Sequence, residues 1–305
     1  MLVPHRLRQL TLDPSDHPRG QPHLSSASGL ARVGRKLYIA ADDEHHLVQL
    51  DADDPVACPL RMVQFAPGAL PDDHAQRKKA KPDLEVLVHV PPLTAQQNGL
   101  LAAFGSASTP RRQRAFVFPV DRHGELVGLP RTVSLEQLHA ALHGRLGEPN
   151  FEAAFFDGTH LHLFQRAHRG HPYNAHIRYQ GAPAARWLAG TGTVPPPLDI
   201  ATVDLGSIDG VPLGITDAAA WPAGGWVFSA VAEDTSNPYD DGACVGSVIG
   251  WCDARNRVVR CERLKDAPKV EGVVLADDDR LWLVTDADDP ARPSELLELR
   301  LSALS

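Results

Sequence analysis

Residues 151–164 read FEAAFFDGTHLHLF: an acid at Glu152, an apolar run, the turn pair Asp157-Gly158, then a second run in which apolar and polar residues alternate. Two short strands joined by a tight turn are the simplest reading, because alternation with a period of two and a Gly-containing turn are the marks of a hairpin. The same device recurs along the chain. It stands at Ser28 in SASGLARVGRKLYIA, at Glu85 in DLEVLVHV, at Asp217 in TDAAAWPAGGWVF and at Glu271 in VEGVVLADDDRLWLV. Successive starts lie 57, 67, 65 and 54 residues apart, and an internal period of that length is the signature of a repeat architecture. Four strands with their turns need roughly 40–60 residues, so each period holds a four-stranded blade.

The third period supplies NFEAAFFD, THLHLFQ, NAHIRYQ and DIATVDL, with the stretch from Gly181 to Pro197 read as turn. The fourth supplies ITDAAAW, GWVFSAVAE, ACVGSVIGWC and RVVRCERL. The fifth supplies only VEGVVLA, RLWLVTD and ELLELRL; the strand it lacks stands at the other end of the chain, where residues 5–13 (HRLRQLTLD) alternate in the strand manner. Pairing the first strand with the last blade closes the ring and leaves no long exposed edge. The expectation is therefore an all-β, five-bladed β-propeller of four antiparallel strands per blade, one domain over residues 1–305. Its blades start near residues 26, 82, 149, 213 and 268, and residues 5–13 complete the last.

Composition fits that reading. The chain has 305 residues, 43% hydrophobic and 22% charged, enough for a large buried core. The 50 Pro and Gly residues serve as turn residues in a β protein. No run reaches the roughly 18 apolar residues of a membrane span, and MLVPHRLRQLTLDP has no apolar signal core; the expectation is a cytoplasmic protein without a membrane partner. A net charge of −8, with no basic stripe interleaved with aromatics, argues against nucleic acid. Arg77-Lys78-Lys79 reads as solvated loop. Cys58, Cys244, Cys252 and Cys261 lack zinc-type spacing and read as reduced thiols, with Cys252 and Cys261 placed to face each other across a turn.

In a propeller the innermost strands start beside the central channel, and the turns between second and third strands return to that same mouth. Ser28, Glu85, Glu152, Asp217 and Glu271 should then form a ring at one channel mouth. Around it should stand the turns at 42–46, 106–112, 165–168, 233–235 and 285–288. Converging carboxylates raise one another's pKa, so the ring has to recruit a metal, basic side chains or protons. A hard ion, Ca²⁺ or Mg²⁺, would take oxygens from Glu85, Glu152, Asp217 and Glu271, with Asn150 or water completing its coordination. Alternatively, Lys81, Lys269, Arg112 or Arg166 reaches in and neutralises the acids. His45, His46 and Glu233 are the candidates for proton transfer. Ser106, Ser108, Arg111, Arg112, Gln165, Arg166 and Asp286 are the candidates for holding a small, anionic ligand. His160 and His162, two apart on one strand, can make a two-ligand metal face, though positions inside a strand favour ordinary sheet residues. His168, His171 and His176 lie in a polar stretch without a recognisable catalytic order. No nucleophile elbow, HExxH, P-loop or GxGxxG motif is present.

The runs KPDLEVL (81–87), FGSASTPRRQRAFVF (104–118), NFEAAFFDGTHLHLFQR (150–166), ITDAAAWPAGGWVFSAVAED (215–234) and KVEGVVLADDDRLWLVTDADDP (269–290) resemble a group of uncharacterised bacterial propellers. These in turn are distantly similar to the esterase-like phytase and SdiA-regulated propellers and to the calcium-dependent gluconolactonase and paraoxonase propellers. That resemblance implies a divalent ion in the channel, with Glu85, Glu152, Asp217 and Glu271 matching its ligands and Ser28 departing from the pattern. Two functions follow as alternatives. One is a metal-dependent hydrolase of an ester, lactone or phosphoester; the other is a non-catalytic propeller that binds a small ligand or partner at its mouth, with the ring acids internally salt-bridged.

Overall fold

The computed structural model describes residues 1–94, 99–167, 171–221, 224–234, 243–286 and 288–304. After β1 (His5–Gln9), the first blade is β2 (Ala27–Val33), β3 (Lys36–Ala41), β4 (His46–Asp51) and β5 (Arg61–Gln64). The second is β6 (Leu84–Val90), β7 (Gly99–Gly105), β8 (Arg114–Val120) and β9 (Arg131–Ser134), and the third is β10 (Phe151–Phe156), β11 (His160–Gln165), β12 (Asn174–Gln180) and β13 (Asp199–Val203). The fourth adds a two-residue β14 (Ser207–Ile208) to β15 (Val211–Ala220), β16 (Trp226–Asp234), β17 (Ala243–Cys252) and β18 (Val258–Arg263). The fifth holds β19 (Val270–Leu275), β20 (Arg280–Thr285) and β21 (Glu295–Arg300), and β1 pairs antiparallel with β21 to complete it. This is a five-bladed propeller closed by its N-terminal strand. No helix among the described residues is long and apolar enough to cross a membrane.

Packing follows from alternation. Successive residues of a strand face opposite sides of their sheet, so each blade feeds two apolar layers, and the buried hydrophobic residues divide into five clusters, one between each pair of neighbouring blades. On β10, Ala154 faces the second blade while Ala153 and Phe155 face the fourth. The seam between last and first blades is packed like the others. There Leu10, Leu24, Leu30 and Ile39 meet Trp282, Val284 and Leu296. The N-terminal strand is shorter than the sequence suggests: ladder pairing ends at Gln9, after which Leu10 turns into this layer and Thr11 pairs with His23.

Three helices interrupt the strands. In α1 (His74–Ala80) Arg77 is buried, not solvated, its guanidinium donating to Asp43 and to the carbonyls of Pro71 and Asp72. In α2 (Glu136–Leu146) Leu138, Leu142 and Leu146 form one buried stripe at a spacing of four, as an amphipathic helix requires. The stretch read as turn contains α3 (Gly181–Ala189), with Pro183 in its first turn and Gly190 at φ 74° ending it. Pro and Gly are compatible with a helix at those two ends. Cys252 and Cys261 do not face each other, since Cys252 pairs with Val258 and Cys261 with Gly250; all four cysteines are free.

Leu10 is fully buried in the closing seam. Leu10→Ala is expected to lower unfolding free energy by about 2–5 kcal/mol in urea titration, as an interior position would; a loss below about 0.5 kcal/mol would show that the seam is not packed as described.

Candidate channel-mouth site

Every innermost strand carries a register shift against its neighbour at one place. The shifts fall between Ser28 and Leu30, Leu84 and Val86, Phe151 and Ala153, Ile215 and Asp217, and Val270 and Gly272. The extra residues are Gly29, Glu85, Glu152, Thr216 and Glu271. A bulge leaves one residue outside the ladder and re-aims its side chain. Here it does so five times around one channel. The ring thus differs from the expected one in two blades, by one residue each. Thr216 takes the place assigned to Asp217, and Gly29 the place assigned to Ser28. A Cβ on Gly29, whose φ is 41°, would lie 2.9 Å from the Glu85 carbonyl oxygen of the neighbouring blade, which is why that copy has no side chain.

The one-residue offset turns Asp217 away from the channel and into the backbone. Its carboxyl accepts the amide of Ala218 at 2.8 Å, that of Val273 at 2.8 Å and that of Leu30 at 3.4 Å, so it links the fourth blade to the fifth and the first. Burial pushes its pKa well up while the three amides oppose that shift. Asp217 does not line the mouth. Thr216 is likewise turned inward, its hydroxyl bonded to Ser229 and to the Val270 carbonyl.

Glu85, Glu152 and Glu271 do line a cavity of about 410 Å³ at the mouth, together with Ser28 and with the expected turn residues Arg112, Arg166, Glu233 and Asp286. Cations are threaded between the acids. Arg166 donates to Glu152 at 3.3 Å and to Glu233 at 2.7 Å. Asn150 also donates to Glu152, at 2.6 Å. Gly214 makes room for this arginine, since a Cβ there would lie 2.8 Å from its Cγ. Lys269 reaches Glu233 at 2.9 Å, Glu271 at 3.4 Å and Asp288 at 2.7 Å. Lys81 bridges Asp42 and Asp83, and Arg112 meets Asp83 at 2.7 Å. Burial opposes the charge of Lys81, Arg166 and Lys269, but the surrounding carboxylates outweigh it and hold all three protonated.

The carboxyls respond to burial and to one another. Glu152 is pushed up to about 8 by burial, against the pull of Arg166, and Asp42 to about 7 by burial, against Lys81. Asp83 goes the other way: Lys81, Arg112 and the Ser106 hydroxyl outweigh its burial and lower it. Glu85 is the exception to the pairing. Among the described residues no hydrogen bond or ion pair reaches its carboxyl, and burial together with Asp42, Asp83 and Glu152 raises it well above the usual range.

Other candidates lie off the wall. Ser106 and Ser108 bond to each other at 2.9 Å; Ser106 donates to Asp83 and Arg112 donates to Ser108, so this turn holds a carboxylate of its own chain. Gln165 is fully buried against the Leu146 carbonyl. Arg111 and His45 line a separate surface depression with Phe65 and Pro67. His46 lies buried on β4, with its pKa lowered by that burial. His168 and Thr235 lie outside the described residues. Asp83 and Arg77 are mouth residues that nothing in the repeat pattern singles out. Asp83 follows a proline and takes φ 57°, a conformation that Asp adopts more readily than most residues.

The described residues contain acidic and histidine clusters able to coordinate a metal: Asp42 with Asp83 and Glu85, Asp157 with His160 and His162, and His139 with His143 and Glu148. The fold and mouth define a five-bladed propeller with a charge-lined, predominantly acidic channel. Residues 23–301 match a family model described as a family of unknown function (DUF6929), and the chain belongs to that family. No curated protein matches the sequence. Among solved structures the chain is similar to a glutaminyl cyclase of Myxococcus xanthus, with 10% identity, a TM-score of 0.50, and 98% of this chain and 97% of that one covered. It is similar to a bifunctional GH43-CE protein of Bacteroides eggerthii, with 11% identity, a TM-score of 0.50, and 97% of this chain but 34% of that one covered. At such identities the likeness is one of fold.

Two substitutions separate the roles of neighbouring acids. Asp217→Ala strands three buried amides and is expected to cost about 3 kcal/mol or more, read by denaturant unfolding. Glu85→Gln is expected to stabilise in a pH-dependent way. Because the folded-state pKa of Glu85 is raised above its ordinary 4.5, its contribution is fully present below pH 4.5 and is lost as pH rises. The variant should therefore gain about 2 °C or more in midpoint over the parent at pH 8, with the gap closing at pH 4.5. A gap that is constant with pH would contradict the assignment.

Proposed function

We propose that the channel mouth binds a small polar ligand through a positively charged group, with Glu85 as its anchor. The observation that carries this is the unpartnered Glu85 carboxyl in a wall of excess acid. Among the described lining residues ten carry carboxyls and six carry lysine or arginine. Arg166, Lys269, Lys81 and Arg112 are each committed to acids of the wall, so an incoming anion would have to break those pairs. An amine or guanidinium needs only to replace the proton on Glu85. A cavity of about 410 Å³ is of the size that takes a small organic molecule.

A second reading has one observation in its favour. Ligand atoms of Asp42, Asp83 and Glu85 lie within 4.8 Å of one another, and Asp42 Oδ1 is buried without a hydrogen-bond partner. These oxygens suit Ca²⁺ or Mg²⁺. A divalent ion held there would polarise an ester, lactone or phosphoester oxygen, which is the hydrolase alternative. The fit is poorer, since the Lys81 ammonium already stands on Asp42 and Asp83 and would have to leave.

Calorimetric titration with agmatine and putrescine, and separately with Ca²⁺ and Mg²⁺, distinguishes the two. The first reading expects an organic cation to bind with release of up to one proton, seen as a dependence of the heat on buffer. It also expects affinity to rise as pH is raised above the ordinary 4.5 of Glu85 and to fall about tenfold or more, roughly 1.4 kcal/mol, in Glu85→Gln. Binding of the divalent ions alone, lost in Glu85→Gln, would favour the second. Absence of both would overturn the proposal.

A further inference from the structure

A separate cluster lies at the far end of the third blade. Asp157 follows β10 five residues after Glu152, or about 16 Å along the strand at about 3.3 Å per residue. It starts the turn into β11, which carries His160 and His162. Asp157 Oδ1 accepts the amides of Thr159 and His160, both at 2.7 Å, so the carboxylate is fixed in orientation and Oδ2 is left over. His162 Nε2 lies 2.9 Å from that oxygen and His160 Nδ1 lies 3.4 Å from it.

The buried side of the cluster determines which atoms carry hydrogen. Trp226 Nε1, which can only donate, points at Asn256 Oδ1 at 3.1 Å, and that identifies the atom as the amide oxygen. His176 Nδ1 lies 2.7 Å from the same oxygen, so it carries hydrogen. With neutral imidazoles, His176 Nε2 is then an acceptor, and His162 Nδ1, 2.8 Å away, has to donate to it. His162 Nε2 is left with a bare lone pair aimed at a carboxylate oxygen. Two acceptors at 2.9 Å repel unless a cation stands between or beside them.

We propose that Asp157, His160 and His162 form a binding site for a borderline transition metal, with Zn²⁺ the best match. Two imidazole nitrogens and a carboxylate oxygen are a normal zinc donor set, and bonds of about 2.0–2.2 Å in tetrahedral geometry put donors about 3.3–3.5 Å apart. The His160 separation already meets that value. The His162 separation needs the exposed Asp157 turn to open by about half an ångström on the same scale. The His162 ring is fixed in place, because it is buried, stacked on Phe155 at a centroid distance of 4.2 Å, and hydrogen-bonded edge to edge with His176 through its far nitrogen. Support of a ligating histidine through its other ring nitrogen sets its tautomer and raises metal affinity. Asp157 is exposed and His160 half-exposed, so solvent reaches the site and supplies the fourth ligand. The positive charge facing the cluster comes from Arg178, the cross-strand neighbour of His162. It lies opposite Asp199 on the next strand.

The test is competition for Zn²⁺ against a chromophoric chelator at pH 7.5, with Co²⁺ absorption reporting coordination number. It uses the full chain and the variants Asp157→Asn, His160→Gln, His143→Gln and Glu85→Gln. The partly exposed His160 can be changed without opening the core, and circular dichroism checks folding in each case. The parent should take Zn²⁺ and show four-coordinate Co²⁺ bands; His160→Gln and Asp157→Asn should weaken binding at least tenfold and lose the bands. His143→Gln and Glu85→Gln should retain both. No Zn²⁺ binding, which would mean that a proton alone satisfies the pair, overturns the proposal. So does binding that survives in both His160→Gln and Asp157→Asn, or that is lost in His143→Gln or Glu85→Gln.

Discussion

One extra residue in each innermost strand organises the channel. Within a regular ladder, residues 85, 152 and 271 would alternate with their neighbours between the two inter-blade layers, where a carboxyl has no solvent. The bulge takes each of them out of that alternation and presents it to the mouth. Two amides just past the bulges of the first and fifth blades, those of Leu30 and Val273, are taken by Asp217. Charged mouth and central backbone latch thus arise from the same irregularity, repeated five times.

Gathering so many carboxyls imposes a second constraint. Buried like charges are tolerated only when paired or protonated, and the structure uses both means. Arg166 and Lys269 each bridge blades, joining acids of the third, fourth and fifth, while Lys81 and Arg112 serve the first and second. Breaking one such pair leaves a buried charge uncompensated, a cost of about 3–5 kcal/mol, so these residues hold the mouth in shape as well as setting its potential. Glu85 stands outside the scheme beside Gly29, the one ring position with no side chain.

The blades were legible because their strands follow simple rules. THLHLFQ alternates and FEAAFF ends at Asp-Gly, so β10 and β11 could be placed from composition and period alone. The ring was legible only to within a residue. Ser28 and Asp217 look like the polar members of the series, yet a bulge shifts register by one and hands the positions to Gly29 and Thr216; a glycine inside a strand pattern was the available hint. Helix α3 was hidden by its own Pro and Gly, which mark turns when read locally but also suit a helix's first turn and its end. The pairing of Arg77 with Asp43 and of Arg166 with Glu233 joins residues 34 and 67 positions apart. No local pattern signals such pairs.

The chemistry of the mouth depends on Glu85 being the carboxyl that the cations leave unpaired. Its ionisation can be followed directly by carbon NMR of protein labelled at the glutamate side-chain carboxyls, with Glu85→Gln assigning the resonance. A Glu85 signal that titrates well above the ordinary 4.5, and that moves from the neutral-acid to the carboxylate position on addition of a bound cation, is the predicted result. A signal that titrates near the ordinary 4.5, indifferent to added cations, would contradict it.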